Sequence, residues 1–204
     1  MYRLKKYFYW LITWPAVIFF FLLSGENKRK FRRDLSRFYS RHNGIDGQTG
    51  LKAFYVMMVA RKEFRNIFYM RLGHSSILIK WLLPGMSTLN FGSTSKQIEG
   101  GIFIEHGWAM VLDAEQVGEN LWINQCVTVG YGRGGHPRIG NNVRIGTGAV
   151  VLGGITIGNN VNIGANAIVV NDVPSNCTVC SPKATIVKRH NGPTMNAQMG
   201  GDKY

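Results

Sequence analysis

The chain has 204 residues, of which 45% are hydrophobic, and it contains 25 glycines but only 6 prolines. This composition excludes a disordered or low-complexity protein and predicts one β-rich domain with frequent tight turns and a smaller attachment. The net charge of +13 is concentrated near the N-terminus, because ten of the 24 lysines and arginines lie within the first 41 residues. Such a cluster predicts an anionic surface as partner.

The first predicted segment, residues 1–43, combines this basic cluster with an apolar run from Tyr7 to Leu23. We therefore predict phospholipid rather than nucleic acid as the anionic partner. The run has about 17 residues, the lower limit for a membrane-spanning helix, and Pro15 would kink it. It can cross the bilayer, lie in the interface, or pack as a buried helix on the catalytic domain. The basic residues that follow predict a cytoplasmic protein held at the inner face of the cytoplasmic membrane.

Residues 44–90 form a predicted helical region. Apolar residues recur mainly at helical spacing between Leu51 and Leu83. This pattern indicates one or two helices that end near Pro84 and Gly85.

From residue 91 to residue 190 the sequence has an internal period of six. Aliphatic residues occupy every sixth position at Ile139, Ile145, Val151, Ile157, Ile163 and Val169. The same phase recurs upstream at Val111, Val117, Ile123 and Val129, and again at Ile98 and Ile104, with one shifted residue between Ile104 and Val111. Three hexapeptides make one triangular coil, so aliphatic side chains 18 residues apart stack inside the prism. The period predicts a mainly β fold, a left-handed parallel β-helix preceded by the α-helical region, with residues 191–204 as a flexible tail.

One interval breaks the period, because ten residues rather than six separate Val129 from Ile139. The extra residues do not fit the coil, and we predict that residues 131–136 protrude as a loop. This loop carries a cation, Arg133, and a base, His136, so we expect it to contact the substrate.

Four stretches of this region resemble the hexapeptide-repeat acyltransferases, and in particular their serine acetyltransferase branch. They are Gly-Ile-Phe-Ile-Glu-His ending at His106, Ile-Asn-Gln-Cys-Val-Thr-Val-Gly from Ile123, Gly-Gly-His-Pro-Arg-Ile-Gly from Gly134, and Ile-Gly-Ala-Asn-Ala from Ile163. The resemblance covers about half of the chain. It implies a homotrimer with active sites between neighbouring subunits, acetyl-CoA as the donor, a small-molecule hydroxyl as the acceptor, and no required metal.

The resemblance also implies roles for individual residues. His106 matches the catalytic base, which takes the proton of the acceptor hydroxyl as that hydroxyl attacks the thioester. His136 matches a second active-site histidine, which the loop carries to the neighbouring subunit. Glu105 stands where the serine enzymes have an aspartate that contacts the substrate, whereas Phe91 replaces the aspartate that orients the base. The positions implied for CoA binding are Thr147, Gly148, Ala165, Lys183 and Lys188.

Three functions remain open from the sequence. The motif matches favour serine as the acceptor, whereas the membrane-directed N-terminus favours a sugar hydroxyl in capsule, exopolysaccharide or lipopolysaccharide biosynthesis. The third is a non-catalytic trimeric scaffold, which Phe91 and a loop shorter than that of the serine enzymes favour. Retention of His106 beside Glu105 favours an enzyme.

Overall fold

The computed structural model describes residues 2–44, 49–92, 97–182 and 184–185. Its N-terminal part is helical, as predicted, but residues 51–83 contain three α-helices and a 3-10 helix instead of one or two helices, and the last of them ends at Lys80. The helices are α1 (Tyr2–Leu22), α2 (Gly25–Asn43), α3 (Leu51–Ala60), α4 (Lys62–Leu72), a 3-10 helix (Gly73–Ser76) and α5 (Ile77–Lys80). The side chain of Ser24 accepts a hydrogen bond from Asn27 N at 3.3 Å and so begins α2, and Gly44, with a left-handed φ of 68°, ends it.

Phenylalanines form the core of the helical region. Phe31 is fully buried, and its ring centroid lies 5.0 Å from that of Phe68 and 5.2 Å from that of Phe64. α1 joins this core through Phe20, whose ring is 5.2 Å from Phe54. Aromatic pairs at such separations add to the gain from burial, so these rings hold the helices together.

α1 packs on the other helices through one face only. Ala16 and Phe20 are buried in the core. Five apolar side chains on the other face are 47–69% exposed, and these are Leu11, Trp14, Ile18, Phe21 and Leu22. None of the described helices, α1 included, has the length and hydropathy that a membrane crossing requires. Among the three arrangements expected for the apolar run, the structure shows a packed helix that keeps an apolar outer face.

The C-terminal part is a left-handed parallel β-helix, as the period of six predicts. Its strands are β1 (Leu89–Phe91), β2 (Phe103–Ile104), β3 (Met110–Leu112), β4 (Gln116–Val117), β5 (Trp122–Ile123), β6 (Thr128–Gly130), β7 (Arg138–Ile139), β8 (Arg144–Ile145), β9 (Val150–Leu152), β10 (Thr156–Ile157), β11 (Asn162–Ile163), β12 (Ile168–Val169) and β13 (Thr178–Val179). They stack into three sheets: face A (β1-β3-β6-β9-β12), face B (β4-β7-β10) and face C (β2-β5-β8-β11-β13). Each coil therefore passes through C, A and B in turn.

The register of face A corrects one predicted core position. Leu112, rather than Val111, pairs with the inward-facing Val129 and is fully buried, while Val111 is only half-buried. The prediction of Val111 as an inward residue was wrong. From Ile104 to Leu112 the chain advances eight positions instead of six, because two extra residues widen the corner between faces C and A.

Asparagines build the corner between faces B and C. Asn120, Asn142, Asn160 and Asn176 all have a left-handed φ, between 56° and 63°. Each side-chain amide donates a hydrogen bond to the side-chain carbonyl of the next asparagine at 2.9–3.0 Å. Asparagine tolerates this backbone conformation better than most residues. The ladder therefore turns the chain and also aligns successive coils.

Asp34 of α2 fixes the helical region to the first coil. Its buried carboxylate accepts hydrogen bonds from the backbone amides of Gly101 and Ile102 at 2.7 and 2.9 Å, and from Arg71 Nε at 3.0 Å. Burial raises the pKa of Asp34, although the Arg71 guanidinium opposes this shift. Arg33, one residue earlier, pairs with Glu119 on the surface. Part of the basic cluster thus contacts the β-helix itself.

Candidate active site

His106 lies at the corner between faces C and A, directly after β2, and its side chain is exposed. The two extra residues of this corner follow it. The junction between α3 and α4 holds the backbone here, because Arg61 Nη2 donates a hydrogen bond to Glu105 O at 2.7 Å. A Cβ on Gly107 would lie 2.5 Å from Leu89 Cδ1, so a larger residue there would have to displace the Leu89 side chain. The corner is closely packed from behind and presents the imidazole to solvent.

No carboxylate of the described residues lies within hydrogen-bonding or ion-pairing distance of His106. Phe91, at the position of the aspartate that would orient the base, is half-buried on β1. A different acidic residue, Glu63 of α4, packs against Gly107, the residue after the histidine: its Cγ lies 3.1 Å from the place a Cβ on Gly107 would take. Glu63 is 8% exposed, and its Oε2 lies 3.7 Å from Arg61 Nε. The helical region therefore supplies charged groups to this corner.

Glu105 is held by an aromatic neighbour. Its Oε2 accepts a hydrogen bond from Trp122 Nε1 of the next coil at 3.0 Å. The Trp122 ring packs edge-on against Phe103 at 5.6 Å. Two guanidinium groups lie over the same indole, with Arg41 Cζ at 4.3 Å and Arg144 Cζ at 3.9 Å from the ring centroid. The carboxylate predicted to contact substrate is thus part of a fixed, mostly cationic cluster.

The loop predicted at residues 131–136 is a tight hairpin. Gly132 and Gly135 exchange backbone hydrogen bonds at 3.0 and 3.1 Å. The hairpin packs on the following coil, where Gly154 N donates to Arg133 O at 2.9 Å. A Cβ on Gly154 would lie only 2.2 Å from Gly134 O, so the close approach requires glycine. The excursion leaves the coil as predicted, but it is anchored by backbone contacts.

His136 ends this hairpin at the corner between faces A and B. Its Nδ1 lies 3.2 Å from Asp113 O and 3.6 Å from Asp113 Oδ2. The Tyr131 ring, 72% exposed, packs edge-on against the imidazole at 5.4 Å. Asp113 and Tyr131 therefore fix the orientation of His136, which leaves the second ring nitrogen for a ligand.

The two predicted histidines lie at opposite edges of face A. His106 precedes β3, whereas His136 follows β6, the neighbouring strand in the same sheet. A three-residue strand with its flanking residues, about 10 Å of chain, separates the two edges. One chain does not bring these imidazoles into one site.

Three of the five positions predicted for CoA line the same edge as His106. Thr147, Gly148 and Ala165 form the corner between faces C and A on the later coils, where Gly148 N donates to Gln125 O at 3.0 Å. Gly148 has a left-handed φ of 70°, and a Cβ there would lie 2.2 Å from Asn166 Oδ1. Lys183 and Lys188 lie outside the described residues.

Sequence reasoning missed two polar groups on this edge. Asn124 Oδ1 and Gln125 Oε1 are buried and accept no hydrogen bond from any described residue. Both residues follow Ile123, just as Glu105 and His106 follow Ile104 one coil earlier. This equivalent position in the repeat is the signal by which the sequence could have identified them. An unpaired buried acceptor costs free energy, so both oxygens are suited to accept hydrogen bonds from a ligand or from ordered water.

A cleft of about 490 Å³ opens beside the His106 corner. It lies between α4, the segment that precedes β1, and the widened corner. Its lining includes Lys62, Glu63, Met86, Ser87, Thr88 and Trp108. A larger cleft of about 610 Å³ lies between α4, α5 and β1, and it contains none of the predicted catalytic or binding residues. The smaller cleft contains none of them either, but it reaches the widened corner through Trp108.

The bacterial transferase hexapeptide family (six repeats) matches residues 136–171. The serine acetyltransferase of Staphylococcus aureus is 47% identical over 151 residues, which make up 71% of this chain and 68% of that protein. The chain belongs to the serine acetyltransferase family. Curated family members from other organisms match over only 38–57% of their own length, so the chain spans about half the length of those relatives.

Solved structures of the serine acetyltransferase family have the same architecture. The enzyme of Neisseria gonorrhoeae, in complex with serine, is 27% identical with a TM-score of 0.61, covering 80% of this chain and 70% of that one. The Brucella abortus enzyme, in complex with coenzyme A, has a TM-score of 0.62 at 24% identity, with 82% of this chain and 70% of that one covered. The second likeness concerns the fold alone.

Proposed function

We propose that this protein is an O-acetyltransferase that moves the acetyl group of acetyl-CoA to a hydroxyl of a small-molecule acceptor. The observation that carries the proposal is the edge between faces C and A. There the exposed His106 stands on a closely packed corner, and Thr147, Gly148 and Ala165 continue the same edge over later coils. Membership of the serine acetyltransferase family supports the same reaction.

In the proposed reaction His106 acts as general base. Its neutral imidazole takes the proton of the acceptor hydroxyl while that oxygen attacks the thioester carbonyl carbon of acetyl-CoA. The carbon–sulfur bond then breaks, and the departing CoA sulfur takes the proton back from the imidazolium.

We infer that the active site lies between subunits of a homotrimer. His136 and Arg133 belong to the other edge of face A, so a neighbouring copy has to bring them to His106. Face A carries an apolar outer surface suited to such a contact, with Ile168 72% exposed and Val170 54% exposed. In that arrangement His136 positions the substrate or stabilises the charge that develops on the thioester oxygen.

Serine is the first candidate acceptor, because the relatives that match the chain are named for it. A sugar hydroxyl is the second, and the cluster around Glu105 favours it. Trp122 occupies one carboxylate oxygen of Glu105, and arginines surround the indole. That carboxylate is therefore less available to an amino group than a free aspartate would be.

Release of the CoA thiol from acetyl-CoA tests the proposal, with free serine and a panel of nucleotide-linked and lipid-linked sugars as acceptors. Replacement His106→Asn should lower kcat at least about 100-fold, because a general base contributes that much or more. His74→Asn, an exposed histidine of the 3-10 helix, is the matched control and should retain full activity. No turnover by the wild-type protein with any acceptor would instead favour a non-catalytic trimeric scaffold.

We further propose that the exposed face of α1 holds the protein to the inner face of the cytoplasmic membrane. Trp14, Ile18 and Phe21 on this face are 49%, 47% and 56% exposed. The C-terminal end of α1 shares a small cleft with Ser75 of the 3-10 helix. Leu78 of α5 and Trp81, the residue that follows α5, are 64% and 77% exposed. This surface combines interfacial aromatic residues with basic neighbours, a composition that binds anionic lipids.

Co-sedimentation with phosphatidylglycerol vesicles, compared with phosphatidylcholine vesicles, tests this attachment. The double substitution Trp14→Glu with Trp81→Glu should abolish binding to the anionic vesicles, and higher salt should weaken the wild-type interaction. Thr178→Glu, exposed on β13, adds the same kind of charge elsewhere and should leave binding unchanged. Unchanged vesicle binding by the double variant would contradict the proposal. A lower molecular mass of the double variant in solution would also contradict it, because the exposed face would then be a contact between copies of the chain.

A further inference from the structure

Arginines on the outer surface of face C form a cluster that is not paired with carboxylates. Trp122 and Arg144 are neighbours in register on β5 and β8, and Arg41 reaches the same indole from the last turn of α2. The guanidinium carbons lie 3.9 Å (Arg144) and 4.3 Å (Arg41) from the ring centroid. Stacking on an aromatic ring fixes the plane of a guanidinium and leaves its N–H groups free to bind a ligand.

A third arginine makes this region strongly cationic. Arg37, one turn before Arg41, donates hydrogen bonds to the backbone oxygens of Gly101 and Leu121. Burial and, next in size, the charge of Arg41 lower the pKa of Arg37 to about 10. Glu105 contacts the cluster through the indole, and the charge of the buried Asp34 acts on Arg37, so the three arginines outnumber the carboxylates near them.

Arginines elsewhere in the described structure do have carboxylate partners. Arg33 pairs with Glu119, Arg138 with Glu115, and Arg71 with Asp34. In the part of the chain that the structure describes, neither Arg41 nor Arg144 forms an ion pair. An ordered guanidinium with free N–H groups can bind phosphate oxygens in a bidentate manner, and two such groups suit a phosphate or diphosphate ligand.

We propose that Arg41 and Arg144, stacked on Trp122, bind a phosphoryl group of the acceptor molecule. This inference rests on the proposed acetyltransferase activity. Trp122 Nε1 lies 3.0 Å from Glu105 Oε2, and Glu105 directly precedes His106. The anion would therefore be held on the order of 10 Å from the catalytic base, since adjacent residues of an extended chain are separated by about 3.3 Å. That distance suits an acceptor whose reacting hydroxyl and phosphoryl group are separated by one sugar ring, as in a diphosphate-linked saccharide.

Steady-state kinetics with a diphosphate-linked sugar and with the same sugar lacking phosphate test the assignment. The variants Arg41→Gln and Arg144→Gln should each raise the KM for the diphosphate-linked acceptor about tenfold, the size expected when one charged hydrogen bond is lost. The KM for acetyl-CoA should change less than about twofold. Arg32→Gln, an exposed arginine of the same helix, removes the same charge and should leave both constants unchanged.

A direct binding measurement separates this proposal from the activity. Titration of the wild-type protein with inorganic pyrophosphate should show binding that either Arg variant weakens about tenfold and Arg32→Gln leaves unchanged. An increase in the KM for acetyl-CoA alone would assign the arginines to the CoA phosphates and overturn the proposal. Equal pyrophosphate binding by all variants would also overturn it. Absence of turnover with every acceptor would instead contradict the proposed function, because pyrophosphate binding is measured without turnover.

Discussion

The β-helix and the helical region are stabilised in different ways. In the β-helix the same corner is repeated from coil to coil, and each asparagine of the ladder has an equivalent neighbour above or below it. In the helical region each contact is made once, as with the ring of Phe31 or the carboxylate of Asp34. A lost contact in the repeat leaves similar contacts in the neighbouring coils, whereas a lost contact of Asp34 has no replacement. Substitutions in the two regions should therefore differ in cost.

The largest loss is expected at the buried connection between the regions. Asp34→Ala leaves Arg71 buried without its carboxylate and two backbone amides without their acceptor, so the free energy of unfolding should fall by about 3–5 kcal/mol. Urea unfolding followed by circular dichroism measures this change. The double substitution Asp34→Leu with Arg71→Met removes both charges and should lose less than Asp34→Ala. A loss below about 1 kcal/mol for Asp34→Ala would show that the connection is not needed.

A smaller loss is expected inside the repeat. Asn142→Ala removes two side-chain hydrogen bonds and places alanine at a φ of 57°, so we expect a loss of about 2–3 kcal/mol. Asn142→Gly removes the same hydrogen bonds, but glycine adopts a left-handed φ without strain. The free energy of unfolding of this variant should therefore be about 1 kcal/mol higher than that of Asn142→Ala. Thermal unfolding of the two variants separates these contributions. Equal stability of both variants would mean that the backbone conformation carries no cost here.

A substitution beneath the hairpin that carries His136 tests whether packing on the next coil of the repeat holds this histidine in position. In Gly154→Ala the new methyl group would lie 2.2 Å from Gly134 O and has to displace the hairpin. We expect a loss of about 1–2 kcal/mol in stability and about a tenfold fall in kcat, since a shift near 1 Å is enough to misplace an active-site group. Thiol-release kinetics and thermal unfolding measure the two effects.

Gly25→Ala is the control for this substitution, because no atom lies within 4 Å of the added methyl group. It should leave both activity and stability nearly unchanged. If Gly154→Ala also leaves kcat unchanged, His136 does not act in the reaction, and the site has to be sought around His106 alone.

The repeat was largely predictable from the sequence, because its core positions are set by a spacing that is visible in the chain. The error at Val111 has a physical cause. The corner after Ile104 is two residues longer than the corresponding corners of the other coils. The next interval, from Leu112 to Val117, is one residue shorter than the period of six. Val111 and Val117 are therefore still six residues apart. The sequence therefore shows an apparent shift of one residue at a corner where the register changes by two.

The surroundings of His106 could not be predicted in the same way. Arg61 and Glu63 come from the helical region, more than 40 residues before His106, and reach its corner only after α4 has packed on the first coil. The contact of Trp122 with Arg41 likewise joins α2 to β5. No periodic pattern in the chain records these pairs, because each of them exists once and depends on how the two regions pack together.

The smallest expected effect concerns the exposed connection between the same two regions. Arg33 pairs with Glu119 at the surface, and their side chains are 43% and 41% exposed. Because solvent screens such a pair, Arg33→Gln should cost less than about 1 kcal/mol, well below the loss at the neighbouring Asp34. A double-mutant cycle with Glu119→Gln in urea unfolding measures the coupling of the pair. A coupling above about 2 kcal/mol would show that the exposed pair is as important as the buried one, and that position in the interface, rather than burial, decides what holds the helical region on the β-helix.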